Sequence, residues 1–153
     1  MISSETTNRN IKNKLYLYGV ILPSNSISID DNEYVSIRGN VSLNSATRLN
    51  KGVLPFKFGI VTGNFVFPSN SLKSFYGFPK VIRGHLYINS NNHFESLKGF
   101  PKTATKGIFF DGSFTINDSN VKILESCKTE KLILSPELQL QYNRYITINK
   151  ILK

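Results

Sequence analysis

A short motif recurs along this sequence and constrains its fold more than any other feature. Residues 71–80 read SLKSFYGFPK and residues 96–102 read SLKGFPK, so that the tetrapeptide GFPK returns after 22 residues. A weaker copy, GVLP, occupies residues 52–55. Repeats of this length are typical of solenoid proteins, in which each repeat forms one coil and buries its apolar side against the next.

A glycine followed by alternating apolar residues marks the same repeats a second time. The segments GNVSL, GNFVF, GHLYI and GIFF begin at Gly39, Gly63, Gly84 and Gly107, at intervals of 24, 21 and 23 residues. Such alternation indicates a β-strand with one buried face. The sequence therefore predicts a mainly β solenoid with about 22–24 residues per coil. The inward side chains are predicted to be Val41 and Leu43, Phe65 and Phe67, and Leu86 and Ile88.

The two ends of the chain lack the motif, and we expect them to cap the stack. We predict one domain over residues 1–153, with an N-terminal cap over 1–37, core repeats over 38–115 and a C-terminal cap over 116–153. In the N-terminal cap, strand-like runs are predicted at residues 15–22, 26–29 and 34–37. In the C-terminal cap, residues 121–124 and 131–134 are predicted to form one more degenerate coil. Two alternatives stay open for the last stretch, a short helix that begins at Pro136 and a strand over residues 145–148.

The order SLxGFPK, then GxLxIxNN, then SL resembles that of leucine-rich-repeat-like proteins, which are common in phage and bacterial genomes. The resemblance extends over residues 34–115, although Phe and Tyr replace many leucines and the repeat length varies. It implies a short leucine-rich-repeat-like solenoid with degenerate terminal caps that acts as an interaction module. If the source is a phage, it also implies a protein that binds and modulates a host protein in the host cytoplasm.

The positive charge of the chain is concentrated on the repeats. Residues 1–37 carry three basic and four acidic side chains, residues 38–106 carry ten and one, and residues 107–153 carry six and five. The formal net charge of +9 therefore comes from the middle segment. Because adjacent strands lie about 4.8 Å apart, basic residues at matching repeat positions are expected to line up as a stripe along one flank.

This basic stripe and two tyrosines are the predicted binding residues. The expected neighbours in the stripe are Lys80 with Lys102, Arg83 with Lys106, and Lys73 with Lys98. Tyr76 and Tyr87 fall out of phase with their apolar neighbours, so we expect their rings to be exposed. Like charges in such a stripe repel each other, and a surface that tolerates this cost suggests an acidic partner.

Several explanations of the stripe stay open. The first is a non-catalytic protein that binds an acidic protein partner. The second is a nucleic-acid-binding protein, because aromatic rings and lysines together bind bases and phosphates. The chain could instead be a structural virion component, or the lysines could only keep strand edges soluble. The sequence does not decide the oligomeric state, and an edge strand at an open end could form a dimer.

Residues that could support catalysis or bind a metal are few. His85 and His93 lie in one repeat with Glu95 as the nearest carboxylate, and Cys127 lies next to Lys128 without a histidine partner. No phosphate loop, dinucleotide fingerprint or GxSxG elbow occurs. We therefore predict no enzyme activity, no cofactor and no metal site.

Features of a secreted or membrane protein are missing from the sequence. No apolar run approaches the roughly 20 residues that cross a bilayer, and residues 1–14 lack the apolar core of a signal peptide. A single cysteine cannot form an internal disulfide, which is typical of a reducing compartment. We expect a soluble, cytoplasmic protein without a membrane partner.

Overall fold

Strands and short turns follow each other around a β-solenoid of about four coils in the computed structural model. The structure describes residues 4–17, 20, 26–43, 51–67, 72–89 and 93–153. In the described part of the chain, the helices are α1 (Ser4–Leu17), α2 (Asp118–Ser126) and α3 (Pro136–Leu152). The strands are β1 (Ile27–Ile29), β2 (Tyr34–Ile37), β3 (Val41–Ser42), β4 (Lys57–Val61), β5 (Phe65–Phe67), β6 (Val81–Ile82), β7 (His85–Ile88), β8 (His93–Phe94), β9 (Thr103–Ala104), β10 (Gly107–Phe110), β11 (Ser113–Phe114) and β12 (Leu132–Leu134).

Two five-stranded sheets form the main walls of the solenoid among the described residues. Sheet 1 has the order β1-β2-β4-β6-β9, and sheet 2 has the order β3-β5-β7-β10-β12. A third, two-stranded sheet pairs β8 with β11. All pairs are parallel except the hairpin of β1 and β2. The mainly β solenoid predicted from the repeats is therefore confirmed.

Apolar side chains from both sheets fill the interior. The six predicted inward residues are each at most 1 % exposed: Val41, Leu43, Phe65, Phe67, Leu86 and Ile88. Phenylalanine rings pack between the walls, with the Phe75 ring stacked on that of Phe94 at 4.3 Å and edge-on to that of Phe78 at 4.9 Å. Each fully buried ring contributes about 1.5–3 kcal/mol of transfer free energy, so the stacked coils share one core that no single coil could bury.

The turns between sheets 1 and 2 stack through glycine and asparagine. The backbone N–H of Gly84 donates to the carbonyl of Gly63 at 3.1 Å, and a Cβ on Gly84 would lie 2.6 Å from the same residue. Asn64 Oδ1 accepts from the backbone N–H of His85 at 2.8 Å. Gly107 pairs with His85 rather than Gly84, so the fourth predicted glycine is offset by one residue from this column.

Several predictions for the caps are wrong. Residues 15–17 belong to α1 rather than to a strand, because Ile11 and Leu15 are four residues apart on one helix face that packs on the core. Of the remaining residues of the predicted 15–22 strand, only residue 20 is described. Residues 121–124 lie in α2, which begins after the N-cap Asn117, whose side chain accepts from the backbone of Asn120.

At the carboxyl end, one strand prediction holds and one alternative is excluded. Residues 131–134 of the predicted coil contain β12, and β1 and β2 lie in the predicted runs at 26–29 and 34–37. The helix beginning at Pro136 is also correct, but it extends to Leu152, so a strand over residues 145–148 is wrong. No helix in the described ranges is both long and apolar enough to cross a membrane.

Candidate functional site

Lys80 and Lys102 occupy neighbouring positions on two successive coils. The backbone N–H of Lys102 donates to the carbonyl of Lys80 at 2.9 Å, and both side chains are exposed. Each residue directly precedes a strand of sheet 1, β6 and β9 respectively. The repeated GFPK motif thus sets the two ammonium groups on the same side of the stack, as the sequence predicts.

The ring of Tyr34 is the surface on which Lys80 and Lys57 rest. Tyr34 pairs with Lys57 across β2 and β4. The Nζ atom of Lys80 lies 4.0 Å from the centre of the Tyr34 ring, and that of Lys57 lies 5.7 Å away. Lys57 Nζ is also 5.9 Å from the centre of the Tyr76 ring. The negative faces of both rings hold the ammonium groups near one another by cation–π attraction.

These residues surround a cavity of about 270 Å³ on the flank of the solenoid. We call it the lysine–tyrosine groove and define it by Tyr34, Lys57, Tyr76, Lys80 and Lys102. The other lining residues come from the two GFP turns and the buried ring beside them: Phe75, Gly77, Phe78, Gly99 and Phe100. The groove is therefore built by residues from four successive coils.

Two glycines let the turns beneath the groove stack closely. Gly77 and Gly99 have φ angles of +85° and +90°, in the left-handed region that favours glycine. A Cβ on Gly77 would lie 2.4 Å from the carbonyl oxygen of Phe56, and one on Gly99 would lie 2.9 Å from that of Phe75. The GFPK motif thus requires glycine for both the turn and the spacing of the lysines that follow.

The positive charge of the groove is not neutralised within the repeats. Glu95 is the only acidic residue between residues 38 and 106. In the described parts of the chain, no carboxylate forms an ion pair with Lys57, Lys80 or Lys102. Three ammonium groups next to two aromatic faces can therefore bind an anion and the apolar part of the group that carries it.

The six predicted basic residues lie at three different places around the coil. Lys73 and Lys98 are in the turns before the GFPK motif, and only Lys80 and Lys102 reach the groove. Arg83 and Lys106 are exposed in the turns between sheets 1 and 2. The one-residue offset of Gly107 sets Lys106 beside Gly84, because the N–H of Lys106 donates to the carbonyl of Gly84 at 3.1 Å.

The two predicted tyrosines have different surroundings. Tyr76 is 55 % exposed and lies at the groove. Tyr87 is half-buried on the outer face of sheet 2, where its ring stacks on that of Phe109 at 4.9 Å with an interplanar angle of 9°. In the register of sheet 2, Val66 and Ile133 occupy the same outward row. The structure therefore brings Tyr76, but not Tyr87, together with the lysines.

Sequence reasoning missed Tyr34 and Lys57, although a signal for both was present. Each residue directly precedes a buried residue of its strand, Val35 or Phe58, and so falls in the outward phase. Extending the alternation rule from the predicted strands of sheet 2 to those of sheet 1 would have identified both. Their pairing across two coils depends on the register, which the sequence alone does not reveal.

Both histidines form side-chain contacts with residues of neighbouring coils. His93 Nδ1 lies 2.7 Å from Ser113 Oγ, because these residues are direct partners in the β8–β11 pair. Asp111 and Glu137 line the same cavity of about 550 Å³. Among the described residues, no carboxylate hydrogen-bonds to His93. His85 Nδ1 lies 3.3 Å from an amide oxygen of Asn64.

The surroundings of Cys127 and Asp30 are also explained by the fold. Burial raises the pKa of the Cys127 thiol from 9.0 to about 11, which keeps it protonated and unreactive at neutral pH. Asp30 Oδ1 accepts from the backbone N–H groups of Asn32 and Tyr34, so it closes a turn. The described residues contain no group of three or more side chains suited to hold a metal ion.

No family model matches the sequence, and no match was found among curated proteins or solved structures. The resemblance of the SLxGFPK motif to leucine-rich-repeat-like proteins therefore stays a prediction. The function has to be argued from the groove and its charges.

Proposed function

We propose that the protein is a non-catalytic binding protein that holds an acidic region of a partner protein in the lysine–tyrosine groove. The observation that supports this most is the convergence of Lys57 and Lys80 on the ring of Tyr34, at 5.7 and 4.0 Å. Packing against the ring reduces the freedom of the long lysine side chains. Less side-chain entropy is then lost when a carboxylate binds.

Tyrosine is well suited to the walls of such an interface. Its large ring contributes apolar contact, and its hydroxyl group can hydrogen-bond at the rim. Tyr76 is 55 % exposed and stands next to Lys57, so a partner can bury its ring while a carboxylate reaches the ammonium group. If the chain is phage-encoded, as the resemblance of its motif implies, this partner is a host protein whose activity changes on binding.

Single-stranded nucleic acid is the second candidate, because the exposed Tyr76 ring beside lysines could stack on a base. The small number of lysines in the groove favours this candidate less than an acidic protein segment. It offers three lysines, so that about three phosphates would be neutralised and the logarithm of affinity would fall with the logarithm of salt at a slope near −2. An acidic protein segment adds apolar contacts that salt does not screen.

An affinity pull-down from cell lysate, with and without nuclease, tests the proposal. The wild-type protein is compared with Lys80→Glu/Lys102→Glu and with the matched control Lys122→Glu/Lys131→Glu, whose residues are exposed on α2 and before β12. We expect one protein to be recovered despite nuclease by the wild type and the control, but not by the groove variant. Recovery that disappears with nuclease would favour nucleic acid. Equal recovery by all three proteins would contradict the proposal.

A further inference from the structure

A second and larger cleft adjoins the lysine–tyrosine groove. Its volume is about 450 Å³, and it lies between α1 and the first two coils. Its apolar lining comes from Ile11 of α1, from Val35 of β2 and from the segment Leu54, Pro55 and Phe56. Lys57 and Tyr76 line both the cleft and the groove, so they form a common wall between the two compartments.

The apolar floor of this cleft remains partly open. Leu54 is 2 % exposed and belongs to the core, whereas Ile11, Pro55 and Phe56 are each half-buried. Apolar surface in a concave site of several hundred cubic ångströms is typical of a pocket that takes an apolar group. A bulky aliphatic or aromatic side chain would cover this surface and exclude water from it.

Charge at the rim of the cleft continues the charge of the groove. Lys14 of α1 and Lys57 line the cleft, and Glu33 is the one carboxylate among its lining residues. With Lys80 and Lys102 in the adjoining groove, four ammonium groups surround the two compartments. An apolar group that enters this cleft is therefore best accompanied by negative charge on the same molecule.

From this arrangement, and resting on the function proposed above, we infer that the partner presents an extended acidic segment with one bulky apolar side chain. The apolar side chain occupies the cleft between α1 and the first coils, while neighbouring carboxylates reach Lys57, Lys80 and Lys102. An extended chain advances about 3.3 Å per residue. Because the two compartments share a wall, the apolar residue and the first bound carboxylate lie within a few residues of each other.

Three labelled peptides of equal length test this inference by fluorescence anisotropy. The first is rich in Asp and Glu around one central Leu, the second has Ser in place of the Leu, and the third keeps the Leu but has amides for all carboxylates. We expect the first peptide to bind the wild-type protein about tenfold more tightly than the second, because only the first buries a leucine. We expect the neutral peptide to bind more weakly still.

Two matched variants locate the apolar contact. Ile11→Ser is expected to abolish the preference for the leucine peptide over the serine peptide. Ile133→Ser, at a residue 37 % exposed on the outer face of sheet 2, should retain the preference. The peptide comparison on the wild-type protein does not depend on how well either variant folds.

The outcomes separate this inference from the function on which it rests. Equal binding of the two acidic peptides, lost in Lys80→Glu/Lys102→Glu, would overturn the apolar contact and leave the acidic partner intact. Failure of both acidic peptides to bind would overturn both. If the neutral leucine peptide bound as tightly as the acidic one, the cleft would accept apolar segments regardless of charge, and the combined motif would be wrong.

Discussion

At the scale of single residues, the groove depends on how aromatic rings hold lysine side chains. Tyr34 contacts Lys80 on a coil two positions along the stack as well as its own strand partner Lys57. One tyrosine thus sets the positions of ammonium groups that are 23 residues apart in the chain. Removing the ring should weaken binding even though the charge of the groove is unchanged.

Substitution of Tyr34 tests this role. Because an exposed cation–π contact is worth about 0.5–1 kcal/mol, we expect Tyr34→Ala to weaken the binding of an acidic peptide by about two- to fivefold. Tyr34→Phe keeps the ring and should bind like the wild type. Fluorescence anisotropy at low salt measures both. Equal loss in the two variants would show that the hydroxyl group, rather than the ring, matters.

Asn120 is a residue whose importance sequence reasoning did not detect. It is 1 % exposed and links three backbone groups of two successive coils: its Oδ1 accepts from Leu97 N at 2.8 Å, and its Nδ2 donates to Glu95 O at 2.9 Å and Thr115 O at 2.8 Å. The side-chain amide of Asn120 thus forms hydrogen bonds that a neighbouring strand would otherwise supply.

We expect Asn120→Ala to lower the free energy of unfolding by about 2–4 kcal/mol, because buried backbone groups lose their hydrogen-bond partners. Urea denaturation followed by circular dichroism measures the change. Asn143→Ala is the matched control, since Asn143 is exposed and its side chain only accepts a hydrogen bond from that of Gln139 among the described residues. That variant should differ from the wild type by less than about 0.5 kcal/mol. Similar losses in both variants would contradict this role of Asn120.

The buried thiol of Cys127 makes stability depend on pH in the alkaline range. Its pKa is 9.0 in an exposed chain and about 11 in the fold, so the unfolded chain loses the proton first. The stabilisation is complete below pH 9 and is lost as pH rises through 11. We therefore expect the free energy of unfolding of the wild type to fall more steeply over this range than that of Cys127→Ala. Parallel curves would contradict burial of the thiol.

At the scale of elements, strand phase was predictable from the sequence and strand register was not. The inward residues of β3, β5 and β7 follow from alternation alone, because one buried face imposes a period of two. The predicted alignment of the four glycines is wrong at Gly107, because Gly107 pairs with His85 rather than with Gly84. The fourth coil differs because its turn reads Thr105-Lys106, with a lysine where the other coils have the stacked glycine.

The helical caps were harder to predict, for a physical reason that α3 illustrates. The sequence YITI at residues 145–148 alternates like a strand, yet it lies in a helix of 17 residues. Ser135 and Pro136 begin this helix, and Leu138 packs on the core at 2 % exposure. Contact with the last coil therefore decides the conformation against the local β preference.

Leu138 and Leu140 provide a matched test of α3 as the cap of the last coil. Leu138 is 2 % exposed, whereas Leu140 is 51 % exposed on the same helix. We expect Leu138→Ala to lower the free energy of unfolding by about 2–4 kcal/mol through loss of buried surface and the cavity left behind. Leu140→Ala should change it by less than about 0.5 kcal/mol. Thermal denaturation separates the two, and equal effects would argue against docking of α3.

At the scale of the whole molecule, stacking of the repeats produces a surface with two distinct faces. The flank of sheet 1 carries the lysines of the GFPK motif, whereas the outer face of sheet 2 carries the row of Val66, Tyr87, Phe109 and Ile133. The net charge of +9 comes from residues 38–106 of the sequence. Which of the two faces binds the proposed partner is the central question about this molecule.

An NMR titration of the isotope-labelled protein with an acidic peptide rich in glutamate answers this question most directly. Charge attraction should bring the peptide to the lysine–tyrosine groove. We therefore expect the largest chemical-shift changes at Tyr34, Lys57, Tyr76, Lys80 and Lys102, and little change at Tyr87 and Phe109. Changes that cluster on the outer face of sheet 2, or no saturable change at any residue, would contradict the groove as the binding site.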